Sequence, residues 1–226
     1  MKTATIHTLI AAYGSFRKEE RAWKEAWKWE IVKNFQHNWD LEADDFAAMY
    51  DRSLHSLMSR RMWSDTGYEP KKRMLEFISL QPDWTRHLFR DLFDESKSLE
   101  ARIGRFLFGC DELMAEYREK HPTSIETSHY HDDYRMISLY LALRYPNAYA
   151  PYEFGMFQRM LELLESKDIP VAHDLPRYMK VVSILNTFLS KEKSLMEIHK
   201  HAIRGEAFYQ DECFMLVHDF IQYATR

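Results

Sequence analysis

The sequence predicts an all-α fold, a bundle of about eight to ten helices with little or no sheet. Three observations carry this. Apolar residues recur at helical spacing along most of the chain, strand-like alternation is nowhere sustained, and Leu is common where Val is scarce. With 46% hydrophobic and 15% aromatic content, the 226 residues can build a packed interior, and 6 Gly and 7 Pro leave few interruptions.

Taken in order, the first dense segment holds the aromatic row Trp23, Trp27, Ile31, Phe35 and Trp39, with Trp29 off to one side. A row of this density reads as core rather than as a ligand cage, with part of it left to meet a partner. Asp40 is the expected N-cap of the next helix, with Glu42, Asp44 and Asp45 favoured by the helix dipole in its first turn. Phe46, Met49, Tyr50, Leu54, Leu57 and Met58 mark the buried face of that helix.

Asp65 to Pro70 reads as a loop, and Pro82 suits the first turn of a helix carrying Trp84, Leu88 and Leu92. Leu99, Ile103, Phe106, Cys110, Leu113 and Tyr117 alternate by four and three, a long amphipathic helix. The most polar interruption runs from Lys120 to His131. It divides an expected single domain over 1–226 into two possible subdomains, 1–120 and 132–226, joined at 121–131. Met136, Ile137, Tyr140 and Leu141 begin the next stripe, and a second loop spans Asp168 to Pro176. Tyr178, Val181, Val182, Leu185 and Leu189 follow, and Cys213, Leu216, Val217, Phe220, Ile221 and Ala224 close the series.

A net charge of −4 and a pI near 6.3 argue against a domain that coats nucleic acid or an anionic membrane, while leaving room for a local basic face. Cys110 and Cys213 are far apart and fit no zinc-ligand spacing, so they read as reduced core thiols. No opening segment resembles an export signal and no apolar run is long enough to span a bilayer, so the expected compartment is the cytoplasm.

The sequence raises four kinds of site, each with its own chemical requirements. Gly104-Arg105-Phe106-Leu107-Phe108-Gly109 has the glycine spacing of a phosphate loop, but Cys110-Asp111 stand where Lys and Ser/Thr must hold phosphate and magnesium. His129-Tyr130-His131-Asp132-Asp133 offers metal ligands, His129, His131 and Asp132 first among them. An isolated H-x-H pair on a loop is a thin ligand set, and the reading adopted is that Asp132 or Asp133 caps the following helix. No nucleophile motif is present, no cofactor is implied, and the chain reads as no enzyme.

The last is nucleic-acid contact. Arg52 to Arg90 holds eight Lys/Arg against four Asp/Glu. Arg60, Arg61, Lys71, Lys72 and Arg73, beside Trp63 and Tyr68, form the candidate surface for phosphate contact and base stacking.

Several strings carry a family resemblance. Lys28-Trp29-Glu30-Ile31-Val32-Lys33-Asn34-Phe35-Gln36-His37-Asn38-Trp39-Asp40 and Asp45-Phe46-Ala47 resemble the N-terminal helical region of McrB-like AAA+ proteins. These are relatives of the GTPase subunit of methylcytosine-specific restriction systems. Leu92-Phe93-Asp94-Glu95-Ser96 with Arg102-Ile103, His129-Tyr130, Ile137-Ser138-Leu139-Tyr140-Leu141 and Leu143-Arg144-Tyr145-Pro146 extend the likeness in order along most of the chain. It thins from Asp168 onward, and departs at Met62 to Pro70 and at His131, where an amide side chain is expected.

The resemblance implies a segment placed ahead of a motor. The Walker A loop and magnesium-binding acids of that motor are not in this sequence, so nucleotide hydrolysis is not implied. The expected function is a non-catalytic specificity or adaptor module of a McrB-like phage-defence system, engaging DNA or a partner protein. Its implied partners are an AAA+ motor domain, in cis or in trans, and a nuclease subunit. The alternatives are a pure protein-interaction or oligomerisation module that ignores nucleic acid, and a metal-dependent enzyme built on the histidine cluster.

Overall fold

The computed structural model describes residues 2–19, 25–55, 58, 60–63 and 67–226. Trp23, Leu57, Asp65 and Thr66, singled out above, lie outside them. Twelve α-helices and no strand occur among the described residues, so the fold is all-α with slightly more helices than the stripes suggest. No helix among them is long and apolar enough to cross a membrane.

The helices are α1 (Thr3–Arg17), α2 (Trp27–Asn38), α3 (Phe46–Ser53), α4 (Arg60–Trp63), α5 (Pro70–Leu80), α6 (Pro82–Leu92), α7 (Leu99–Lys120), α8 (Arg135–Arg144), α9 (Phe154–Leu163), α10 (Leu175–Leu189), α11 (Lys193–Ala202) and α12 (Met215–Ala224). The chain forms two compact units. One comprises Met1–Lys33 and Ser138–Arg226, the other Asn34–Ile137, with both divisions falling inside helices, α2 and α8. The polar stretch at 121–131 lies within the second unit.

In the first unit α1 packs on α10, α11 and α12, and α12 also meets α9 and α10. The C-terminal stripe is buried as its spacing requires: Leu216, Val217, Phe220 and Ile221 are all inside. Asp174 starts α10 by accepting from Arg177 N at 3.0 Å, with Pro176 in the first turn, where its missing N–H costs nothing.

In the second unit α5 packs on α3, α6 and α7, and α6 on α7. Trp39 is the hub of its aromatic core. Its ring stacks on Phe35 at 4.7 Å and meets Phe89 and Phe93 edge-on at 5.1 and 5.6 Å. Such pairs each add about 0.5–1.5 kcal/mol beyond the area they bury.

Several expectations need correction. Asp45, not Asp40, caps α3, accepting from Ala48 N at 2.9 Å. Asp40 instead closes the preceding turn through Glu42 N at 2.9 Å. The buried stripe of α3 stops at Leu54, and Met58 is exposed. In α6 the inward positions are Thr85, Leu88, Phe89 and Leu92, which turns Trp84 outward. Trp29, set aside in the aromatic row, is fully buried in the first unit.

Candidate functional site

The basic segment does not form one open surface. Arg60, Arg61 and Lys72 are exposed, as expected of a contact face. Lys71 is buried, and its Nζ lies 2.7 Å from Asp51 Oδ1 and 3.0 Å from the Asp51 carbonyl. Arg73 is buried too, bound to Glu76 Oε2 at 2.6 Å and to Glu126, with its guanidinium 4.3 Å from the Tyr117 ring centre. The reason is helical geometry. On α5, Lys71, Met74 and Ile78 share one side and Arg73 and Phe77 lie beside them, while Lys72 points away.

The aromatic side chains of this region are also occupied. Trp63 is half-buried beneath Lys71, whose Nζ is 5.8 Å from the ring centre. Tyr68 is buried against Tyr130 at 5.6 Å, under the Arg135 guanidinium at 3.8 Å, with its hydroxyl donating to Asp133 at 3.3 Å. It therefore anchors the 121–134 segment and offers no face to a base.

That segment, which contains no helix, is the second candidate. It brings His129 and His131 against Cys110 of α7. All three side chains are buried, and one donor atom from each lies within 4.8 Å of the others. Tyr130, between the histidines, has a φ of +64°, a left-handed conformation uncommon for a bulky residue. The bend it makes turns both rings to one side, nearly parallel at 29° and 5.6 Å apart.

Hydrogen bonds then fix both rings. His131 Nδ1 donates to the His129 carbonyl at 2.5 Å, and His131 N donates to His129 Nδ1 at 3.2 Å. His129 Nε2 faces Asp111 Oδ1 at 3.2 Å and Asp132 Oδ1 at 3.5 Å. Burial lowers the His131 pKa to about 3, so the ring is neutral at pH 7. Burial, with the charges of Asp111 and Asp132, pushes the Cys110 thiol well above its ordinary value. The metal candidates thus separate: His129 and His131 converge inside, while Asp132 stays largely exposed at the rim. Asp133 takes the capping role, accepting from Arg135 N at 3.0 Å.

A third centre was missed in the sequence. In the first unit Asp219 of α12 sits among Tyr13 and Arg17 of α1 and Lys28 of α2, all four fully or almost fully buried. Burial alone would raise the Asp219 pKa. Lys28 first, then the Tyr13 hydroxyl and Arg17, outweigh it and hold the carboxyl below its ordinary range. The available signal was a charge inside the apolar run Met215-Leu216-Val217-His218-Asp219-Phe220-Ile221, and a lysine between Trp27 and Trp29.

The glycine pair of the rejected phosphate loop has a packing explanation. Residues 99–120 are one continuous helix, and a Cβ on Gly109 would overlap both methyls of Leu88. The missing side chain at Gly109 therefore makes room for Leu88 of α6 against α7. No protein-family model, curated protein or solved structure matches this chain.

Proposed function

We propose that the chain is a non-catalytic specificity or adaptor module that works by presenting a surface, in a McrB-like restriction system as the resemblance implies. The observation that carries this reading is a pair of exposed aromatic side chains, one on α6 and one on α7. Phe108, on α7, leaves 62% of its surface open, and Trp84 of α6 is also exposed, stacked on His87 at 5.5 Å. Polar contacts join the two helices here: His87 Nε2 lies 3.5 Å from Asp91, Asp91 pairs with Arg105 at 3.3 Å, and Phe108 follows Arg105 by one turn.

Exposed aromatics beside an arginine make up the residue set that dominates protein–protein contacts. This favours a protein partner, the AAA+ motor subunit, over DNA. The test is titration of the full chain with that motor subunit by calorimetry. Phe108→Asp should weaken binding about 30-fold or more, the scale of an interface hot spot. Unchanged affinity in both Phe108→Asp and Trp84→Ala would remove the reading.

Arg60, Arg61 and Lys72 favour DNA as a second target, because all three are exposed and cationic. With three phosphate contacts the logarithm of the binding constant should fall with the logarithm of salt at a slope of about −2.7. No shift on a gel at low salt would eliminate the DNA target.

A further inference from the structure

We infer that Cys110, His129 and His131 form a binding site for a divalent metal of the zinc class, which ties the 121–134 segment to α7. The inference does not depend on the adaptor reading. It rests on three features of the cluster and one of the chain around it.

The first is convergence. A thiol and two imidazoles, each buried, place one donor atom apiece within 4.8 Å. Zinc bonds of about 2.1 Å to nitrogen and 2.3 Å to sulfur require tetrahedral edges of roughly 3.3–3.6 Å. Closing the set therefore takes side-chain movements of about an ångström, not a change of fold.

The second is the tautomer of each ring. His131 donates from Nδ1 to a carbonyl, which leaves the lone pair of the neutral ring on Nε2. His129 accepts at Nδ1 and presents Nε2–H to Asp111. Each histidine so has one nitrogen bearing a lone pair and the other held by an oxygen acceptor. A carbonyl or carboxylate bound to the distal N–H is the arrangement that orients metal-ligating imidazoles. A metal at His129 Nδ1 replaces the long 3.2 Å bond from His131 N.

The third is charge and softness. One thiolate with two neutral imidazoles suits zinc better than magnesium or calcium, which take oxygen donors. Binding is balanced as M²⁺ + HS–Cys110 → M²⁺–⁻S–Cys110, with the thiol proton released to solvent. The site then carries one net positive charge, which Asp111 and Asp132 flank. Three protein ligands leave the fourth position to water.

The chain around the cluster supplies the reason for such a site. Residues 121–134 contain no helix, and two tyrosines of that stretch, Tyr130 and Tyr134, hold positive φ. Long segments without secondary structure are uncommon inside compact units, and backbone strain persists only where surroundings over-determine it. A metal bonded to both the segment and α7 does this.

The experiment uses the full chain, stripped with chelator and titrated with Co(II) and then Zn(II). We expect one Co(II) per chain with a thiolate-to-cobalt charge-transfer band, displaced by Zn(II), and one proton released per metal bound. Cys110→Ser should abolish the band and weaken Zn(II) at least 100-fold, whereas Cys213→Ser should change neither. Because Cys110→Ser also alters a fully buried position, alkylation is measured in the Cys213→Ser chain, where bound Zn(II) should protect Cys110. Absence of the band, Zn(II) binding weaker than micromolar in a competition assay, or unprotected alkylation at saturating Zn(II) would each overturn the site.

Discussion

Lys28 Nζ donates to Asp219 Oδ1 at 2.5 Å, joining α2 to α12 across 191 positions of sequence in a place where neither side chain meets water. The other Asp219 oxygen accepts from Tyr13 Oη at 2.7 Å and lies 3.4 Å from Arg17 Nη1. Lys28 Nζ also reaches Gln222 Oε1 at 2.6 Å and Glu25 Oε2 at 3.3 Å. Removing the carboxylate would take away the buried counter-charge that Lys28 and Arg17 share. Asp219→Asn should therefore cost about 3–5 kcal/mol in urea unfolding. Lys28→Met on top of it should cost much less than it does alone, since the pair is coupled. Additive costs would show that the two charges do not depend on each other.

Acid should destabilise the first unit well before its carboxylates titrate. His218 is buried, donating from Nδ1 to the Pro151 carbonyl at 3.0 Å, and burial first, then Lys28, lowers its pKa to about 3. His199 is buried against Trp29 at 4.8 Å, and burial first, then Arg17, lowers its pKa to about 4. Both have an ordinary value of 6.5 when unfolded. Between 6.5 and those depressed values the unfolded chain holds protons that the folded chain refuses, so stability is complete above pH 6.5 and falls as pH drops. From pH 6.5 to 5 the two together should remove roughly 3 kcal/mol. His199→Leu should halve that slope. Urea midpoints that do not move between pH 6.5 and 5 would refute it.

The two glycines of the phosphate-loop spacing should respond in opposite directions to alanine. A Cβ at Gly109 has nowhere to go, because Leu88 fills the space and is itself fully buried. Gly109→Ala should destabilise by about 1–3 kcal/mol through overpacking. Gly104 has nothing within 4 Å of its virtual Cβ and faces solvent mid-helix. Gly104→Ala should stabilise by about 0.5–1 kcal/mol, as alanine gains helix propensity. Thermal denaturation of the two variants checks both signs together.

Helix periodicity made most elements legible, because a buried face repeats whatever the helix packs against. It failed where the deciding partner is distant. Asp40 and Asp45 are both good caps by type, and only the turn closed by Asp40 makes Asp45 the one that starts α3. Trp84 matches an inward spacing but yields it to Thr85, whose hydroxyl donates to the Gln81 carbonyl at 2.8 Å. Cys110 was readable as core and nothing more. Its meeting with His129 and His131 depends on the bend at Tyr130, which no local pattern encodes. The basic run was legible as charge, but not as two kinds of charge.

That division within Lys71-Lys72-Arg73 sets the final prediction. Arg73 is held by Glu76 and Glu126, one on its own helix and one on the 121–134 segment, and its guanidinium covers Tyr117. Arg73→Ala leaves two carboxylates without their cation and removes the packing of the side chain stem. It should cost about 1–3 kcal/mol, mainly from the lost packing of the stem and of the guanidinium on Tyr117, because the carboxylates left behind are partly exposed to water. Lys72→Ala, on the exposed side of the same helix turn, should stay within about 0.5 kcal/mol of the parent. If the run were instead one nucleic-acid-binding face, both variants would fold with parental stability and both would lose DNA affinity. Urea unfolding and a low-salt gel shift on the same two proteins separate these outcomes, because only a structural arginine moves the unfolding midpoint.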